Sequence, residues 1–162
     1  MKIVSVSLLA LCLGACASYD GRGLVPGQAR AADVEALMGR PAEKIVNAAG
    51  ETVWFYPHAP AGRDTFAVRM RPDGTLIDIE QRLTRKGTAR VVPGTTTAKE
   101  VREFFGSPYL IWRGPVSHRD IWDYPMMVDN MLMDFFVELS DDGMVREAYL
   151  LHDPVYDAGT LP

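Results

Sequence analysis

Cysteine is nearly missing from this chain. There are two among 162 residues, Cys12 and Cys16, both close to the N-terminus. The remainder therefore has no disulfide framework and no cysteine-rich metal site. Histidine is scarce too: His58, His118 and His152 lie far apart, in no ligand-spaced pattern. HExxH, a Gly-rich phosphate loop and GxSxG are all lacking. So is a basic excess: the net charge is −4, which argues against a nucleic-acid binder. The apolar run from Ile3 to Leu13 is too short to span a membrane. What the chain does have is 48% hydrophobic residues, ordinary for a globular protein and too rich for a disordered one.

The first residues, "MKIVSVSLLALCLGAC", carry one positive charge at Lys2, then the apolar run, then "LGAC". This is the layout of a secretory signal. Its end resembles a bacterial lipobox, where cleavage before Cys16 leaves that cysteine to carry a diacylglycerol and an N-acyl chain. Buried acyl CH₂ groups contribute about 0.8 kcal/mol each, so several chains hold a protein on a membrane. No other cofactor is expected. Ala17, rather than Asp, follows the cysteine. By resemblance to the bacterial sorting pattern, that implies the periplasmic face of the outer membrane. An ordinary cut after Ala17 also fits the small-residue pattern and leaves a soluble protein.

A seventeen-residue phrase occurs twice: "VPGQARAADVEALMGRP" at residues 25–41 and "VPGTTTAKEVREFFGSP" at residues 92–108. "WFYP" then matches "WDYP", and a "DG" follows in each half at Asp73-Gly74 and Asp142-Gly143. The order in both is a Pro-Gly turn, a helix, a Trp strand, a strand, a DG turn and a strand. We read a tandem duplication, which predicts a signal at residues 1–15 and a tether at 16–23. The first repeat spans 24–83, a linker 84–91, the second repeat 92–152 and a flexible tail 153–162.

Pro-Gly suits the centre of a type II turn. Thr97 and Glu100 are spaced as a capping box, and Val101, Phe104 and Phe105 make one apolar stripe. Val34, Leu37 and Met38 repeat that stripe behind Arg30, a poor cap. Gly39 and Gly106 suit helix ends. In the strands, Phe66, Val68 and Met70 face one way and Ala67 and Arg69 the other. Leu76, Asp78 and Glu80 are expected to share a face opposite Ile77 and Ile79. The fold class is α+β: two tandem ααβββ units, each a short helical layer on an antiparallel β-meander. One unit alone would bury too little surface, so the second completes the burial.

The pattern is similar to the outer-membrane lipoproteins of the BamE (SmpA/OmlA) type. Pro26, Gly27, Val34, Gly39, Pro41, Trp54 and Tyr56 carry the resemblance in the first copy. Pro93, Gly94, Val101, Gly106, Pro108, Trp122 and Tyr124 carry it in the second. It implies an ααβββ fold and a part in inserting β-barrels into the outer membrane. The duplication resembles the β-lactamase inhibitor protein, which implies capture of an enzyme on a concave sheet.

No catalytic constellation stands out. "SHRD" at residues 117–120 cannot form a local triad, because adjacent side chains of an extended segment point to opposite faces. Two groups remain as candidate partner contacts. Trp54 with Tyr56, and Trp122 with Tyr124, share strand faces; they are core if helices cover them and anchors if not. Met126, Met127, Met131 and Met133 form a Met-rich stretch that the first copy lacks, adaptable as a binding surface or folded over the core. The basic stretch at residues 82–90 reads as a solvated linker or a contact for anionic lipid. The expected function is a lipid-anchored periplasmic protein-binding scaffold in outer-membrane assembly or envelope integrity, with β-barrel assembly components as candidate partners. The alternative is an inhibitor or sensor of a periplasmic enzyme; an enzyme of unknown type is the third reading.

Overall fold

In a computed structural model of the chain, residues 18–152 are described. The signal peptide, Cys16 and the tail at 153–162 lie outside them. Each half begins with a turn whose centre is Pro-Gly. Gln28 N–H donates to the Val25 carbonyl at 3.1 Å, and Thr95 N–H donates to Val92 at the same distance. Gly27 and Gly94 sit at φ +79° and +74°, as type II turns require. Both glycines then donate to the start of the last strand of their own half, Gly27 to Leu76 and Gly94 to Val145, at 2.8 Å each. The repeated phrase is thus stitched to the repeated DG turn.

The helices α1 (Ala31–Met38) and α3 (Ala98–Phe105) follow these turns. The capping box of α3 is present: Glu100 N–H donates to Thr97 Oγ1 at 3.3 Å, and Glu100 Oε2 accepts from Thr97 N–H at 2.8 Å. At α1 only the Asp33 carboxylate closes the turn, accepting from Arg30 N–H at 2.7 Å. Each helix is followed by four strands. These are β1 (Glu43–Val46), β2 (Thr52–Pro57), β3 (Thr65–Met70) and β4 (Leu76–Gln81), then β5 (Leu110–Arg113), β6 (Asp120–Val128), β7 (Met131–Leu139) and β8 (Val145–His152). A short α2 (Arg85–Thr88) lies between the halves.

The fold is therefore mixed α+β, with two antiparallel four-stranded meanders in sequential order. The described residues give one helix and four strands per half, where two helices and three strands were expected. The stretches after Gly-x-Pro, "EKIV" and "LIWR", are short and apolar enough to pair with the Trp strands. The two sheets are not hydrogen-bonded to each other, so no continuous concave sheet forms.

The layers run α1, first sheet, α3, second sheet. Val34 and Met38 of α1 pack on Trp54, Tyr56, Val68, Met70 and Leu76. The other face of that sheet buries Val53, Phe55 and Ala67. There the end of α3 arrives: a Cβ on Gly106 would lie 2.8 Å from the Phe55 ring. Arg102 pairs with Glu43, and Ser107 N–H donates to Glu43 Oε2 at 2.7 Å. On its opposite side α3 puts Val101 and Phe105 into the core with Tyr124, Met126, Phe135, Val137 and Val145.

Three expectations are revised. Leu76 does not share a face with Asp78 and Glu80. A register shift at Arg69/Met70 turns Leu76 into the α1-side core, while Asp78 opposes Arg69 and Glu80 opposes Ala67. The linker is packed: Val91 is buried in the second core beside Leu83, the last residue of the first repeat, and the Arg90 guanidinium lies 4.0 Å over the Phe104 ring. Residues 18–23 are no free tether either, since Ser18 N–H donates to the Leu37 carbonyl at 3.1 Å and Tyr19 stacks on His58.

Candidate binding face on the second sheet

Strand alternation gives each sheet two faces. Register makes the faces of the two sheets comparable position by position. In the first sheet Phe55 opposes Glu43 on one side and Ala67 on the other, and Ala67 opposes Glu80. In the second, Asp123 opposes Leu110 and Phe136, and Phe136 opposes Tyr149. The face that α3 covers in the first sheet thus has a counterpart in the second, and no described helix lies on it. Its composition differs accordingly. Leucine stands where Glu43 was, tryptophan (Trp112) for Ile45, phenylalanine (Phe136) for Ala67 and tyrosine (Tyr149) for Glu80.

These side chains form a row. Trp112 meets Phe136 edge-to-face with centroids 5.4 Å apart, and Phe136 meets Tyr149 at 5.7 Å. Aromatic pairs favour such edge-to-face and tilted geometries, so the three rings support one another along the row. Leu110 is 52% exposed and Trp112 38%. Beside them the β2–β3 loop folds across the sheet end and lines a half-open cleft of about 410 Å³ with Tyr109, Trp112, Phe136, Asp123 and Asp134. Both aspartates are buried. Arg63, from the loop, donates from Nη1 to Asp134 Oδ1 at 2.9 Å. Further along, Tyr149 donates to Glu138 Oε1 at 3.1 Å, and Arg119 reaches Glu138 at 3.6 Å and Glu147 at 3.1 Å. Burial first, and then the Glu138 hydrogen bond, raise the Tyr149 phenol above its ordinary pKa.

The residues expected as partner contacts are divided by the fold. Trp54, Tyr56 and Tyr124 are buried under the helices, and Trp122 is half-buried against the second core. Their strand face is the helix-covered one, so Trp54, Tyr56 and Tyr124 present no surface to a partner. Burial first, then the Glu35 charge, pushes the Tyr56 phenol up to about 12. Burial raises Tyr124 further. The methionines separate as well. Met126 is fully buried and Met133 packs on the core, whereas Met127 and Met131 are exposed on opposite faces of the hairpin. The two-residue turn at Asp129 and Asn130, φ +51° and +63°, extends β6 and β7 beyond the length of β2 and β3. Met127 alternates with Asp123 and Pro125 and so borders the open face.

Sequence reading missed Leu110, Trp112, Phe136 and Tyr149. Their signal lay in the repeat: the first copy has Glu43, Ala67 and Glu80 where the second has Leu110, Phe136 and Tyr149, and Trp112 enlarges the position of Ile45.

No family model matches the chain, and no curated protein does. Among solved structures the chain is similar to a DUF4309 family protein, YjgB, of Bacillus subtilis. Identity is 14% over 82% of this chain and 84% of that one, at a TM-score of 0.32.

Proposed function

We propose that this protein is a lipid-anchored, protein-binding module of the bacterial envelope, working without catalysis, and that it binds through the open face of its second sheet. One observation carries the reading. The same face of the first sheet is closed by the chain's own helix, while on the second it is left open and furnished with an aromatic row. Unpartnered aromatic surface beside a charged rim is the composition of a protein interface. The resemblance to BamE-type lipoproteins supports the outer membrane, periplasmic side, as the place of work and barrel-assembly components as candidate partners. Ser18 is already bonded to α1. With lipid on Cys16, two residues earlier, the first unit would be held within roughly 7 Å of the anchor point.

The test places a photo-crosslinking residue at Leu110, with a control at the exposed Ala32 on α1, and irradiates native envelopes. A discrete protein adduct from Leu110 and none from Ala32 is expected. Crosslinking from Ala32 alone would overturn the assignment of the face. Palmitate incorporation that persists in Cys16→Ser would overturn the anchor.

A further inference from the structure

We propose that a second copy of this chain pairs with the outer edge of β5, antiparallel and about a twofold axis, so that the second sheets of two molecules join into one continuous sheet. The proposal concerns the edge of that sheet rather than its open face, and it stands whether or not the face binds another protein.

The two sheets end on β1, β4, β5 and β8. An edge strand offers N–H and C=O groups to any strand that fits, and charged side chains are a common guard against such pairing. Three of these edges have the guard: Glu43 and Lys44 in β1, Asp78 and Glu80 in β4, Arg146 and Glu147 in β8. β5 reads Leu110-Ile111-Trp112-Arg113, and its only charge, at the end, is already engaged. Arg113 donates to Asp120 and to Asp141 at 2.9 Å each. All of β5 is exposed, Ile111 at 58%, and no described strand lies beyond it. Its backbone is aimed for pairing. Gly114 N–H donates to the Arg119 carbonyl at 2.8 Å, in step with the β5–β6 register. By alternation Leu110 and Trp112 turn their backbone groups toward β6, and Ile111 and Arg113 turn theirs outward.

Self-complementarity selects the occupant. A twofold axis at Ile111 sets this residue against Ile111 of the second copy, where the two exchange both backbone hydrogen bonds. The same axis sets Leu110 against Trp112 of the second copy. Opposed residues share a face, so Leu110 and Trp112 meet on the open side and the two isoleucines on the other. Every apolar side chain of the strand then meets an apolar one, and no unpaired charge enters the seam. A charged segment would set its charge against leucine or isoleucine, because Arg113 already has its carboxylates. The pairing also makes the two open faces neighbours, with Trp112 at the junction. It is short, about 13 Å of strand. That is less than a stable interface of roughly 800 Å² per partner needs. The dimer is accordingly a weak one, with a dissociation constant on the order of 10–100 μM.

The experiment is sedimentation equilibrium of the full chain in detergent, from about 1 μM to about 500 μM, which brackets that constant. Monomer–dimer exchange is expected. Ile111→Lys sets two lysines opposite each other and should weaken the dimer at least about tenfold, while Val46→Lys on the matched edge of the first sheet leaves it unchanged. Both positions are more than half exposed, so both variants should keep the fold, which circular dichroism checks. Ile111→Cys gives a second readout. Across a hydrogen-bonded pair the Cα atoms lie about 5.5 Å apart, within disulfide reach. Mild oxidation should yield a covalent dimer above the level set by the chain's own cysteines. Val116→Cys, more exposed but away from the axis, should yield much less. A monomer at every concentration, a dimer indifferent to Ile111→Lys, or equal oxidation at 111 and 116 would overturn the pairing. In envelopes, a Leu110 adduct of two copies of this chain, lost in Ile111→Lys, is expected. An adduct to a different protein that Ile111→Lys abolishes would put that protein's strand on the edge and refute the second copy. A different-protein adduct from a chain that stays monomeric keeps the open-face reading and refutes the dimer; a dimer with no such adduct does the reverse.

Discussion

Tyr124 donates its phenolic hydrogen to the carbonyl of Gly106 across 3.0 Å, in the buried layer between helix α3 and the second sheet. Tyr56 makes the same bond to Gly39 at 3.2 Å in the first unit. The tyrosine of each W-x-Y strand thus ties down the carbonyl that ends each helix, one of the acceptors a helix terminus leaves without an intrahelical partner. Removing the hydroxyl strands that carbonyl in an apolar layer. Tyr124→Phe should cost about 1–3 kcal/mol in denaturant unfolding. Tyr56→Phe should cost less, because its bond is longer and only partly buried.

The same phenols set an alkaline limit. Tyr56 is raised from 10.0 to about 12, so the folded state holds its proton more tightly than the unfolded chain does. Its contribution is complete below pH 10 and is lost as the pH rises from there through about 12. Melting temperature measured from pH 8 upward should therefore fall beyond pH 10. Tyr56→Phe should show a shallower fall, and an unchanged slope would contradict the assignment.

Gly39 and Gly106 are matched glycines with different surroundings. Both have φ near +80°, with ψ −165° and −161°, a region essentially restricted to glycine. A Cβ at Gly39 would meet nothing within 4 Å, whereas at Gly106 it would meet Phe55 at 2.8 Å. Alanine at either position should cost about 1–3 kcal/mol in backbone strain. Gly106→Ala should cost a further 1–3 kcal/mol, roughly, for overpacking the contact between α3 and the first sheet. Equal losses at the two sites in thermal melts would mean that α3 does not press on Phe55.

Ala67 and Phe136 hold equivalent places on covered and open faces. Ala67 is fully buried beneath α3's side of the first sheet. Ala67→Phe copies the second sheet into the first and should destabilise by about 1–3 kcal/mol or more, since the ring has no space. Phe136→Ala should cost less than a core phenylalanine truncation, about 3–5 kcal/mol, because its face is open to water. Chemical denaturation of both variants gives the comparison; a larger loss for Phe136→Ala would place a cover on the second face as well.

Much of this was legible in the residues. The duplication is visible as a phrase written twice, and the Pro-Gly and Asp-Gly turns, the Thr97–Glu100 cap, the apolar helix stripes and the alternation of the strands are local signals. Each depends on residues a few positions apart, and φ preference, capping geometry and side-chain period dictate them. The duplication even held the clue to the open face, in the exchange of Glu43, Ala67 and Glu80 for Leu110, Phe136 and Tyr149. What alternation cannot say is which of two faces is covered. Trp54 and Phe55 are neighbours on one strand, one under α1 and the other under α3, and the second cover comes from the far half of the chain. Likewise, one register shift at Arg69/Met70 moved Leu76 to the opposite face from the one its spacing indicated. Only the tertiary arrangement, one helix wedged between two separate sheets, decided that the Trp-Tyr pairs lie under helices and that no described helix covers Trp112 and Phe136. Burial is a property of what arrives from elsewhere, and that is set by packing rather than by local sequence.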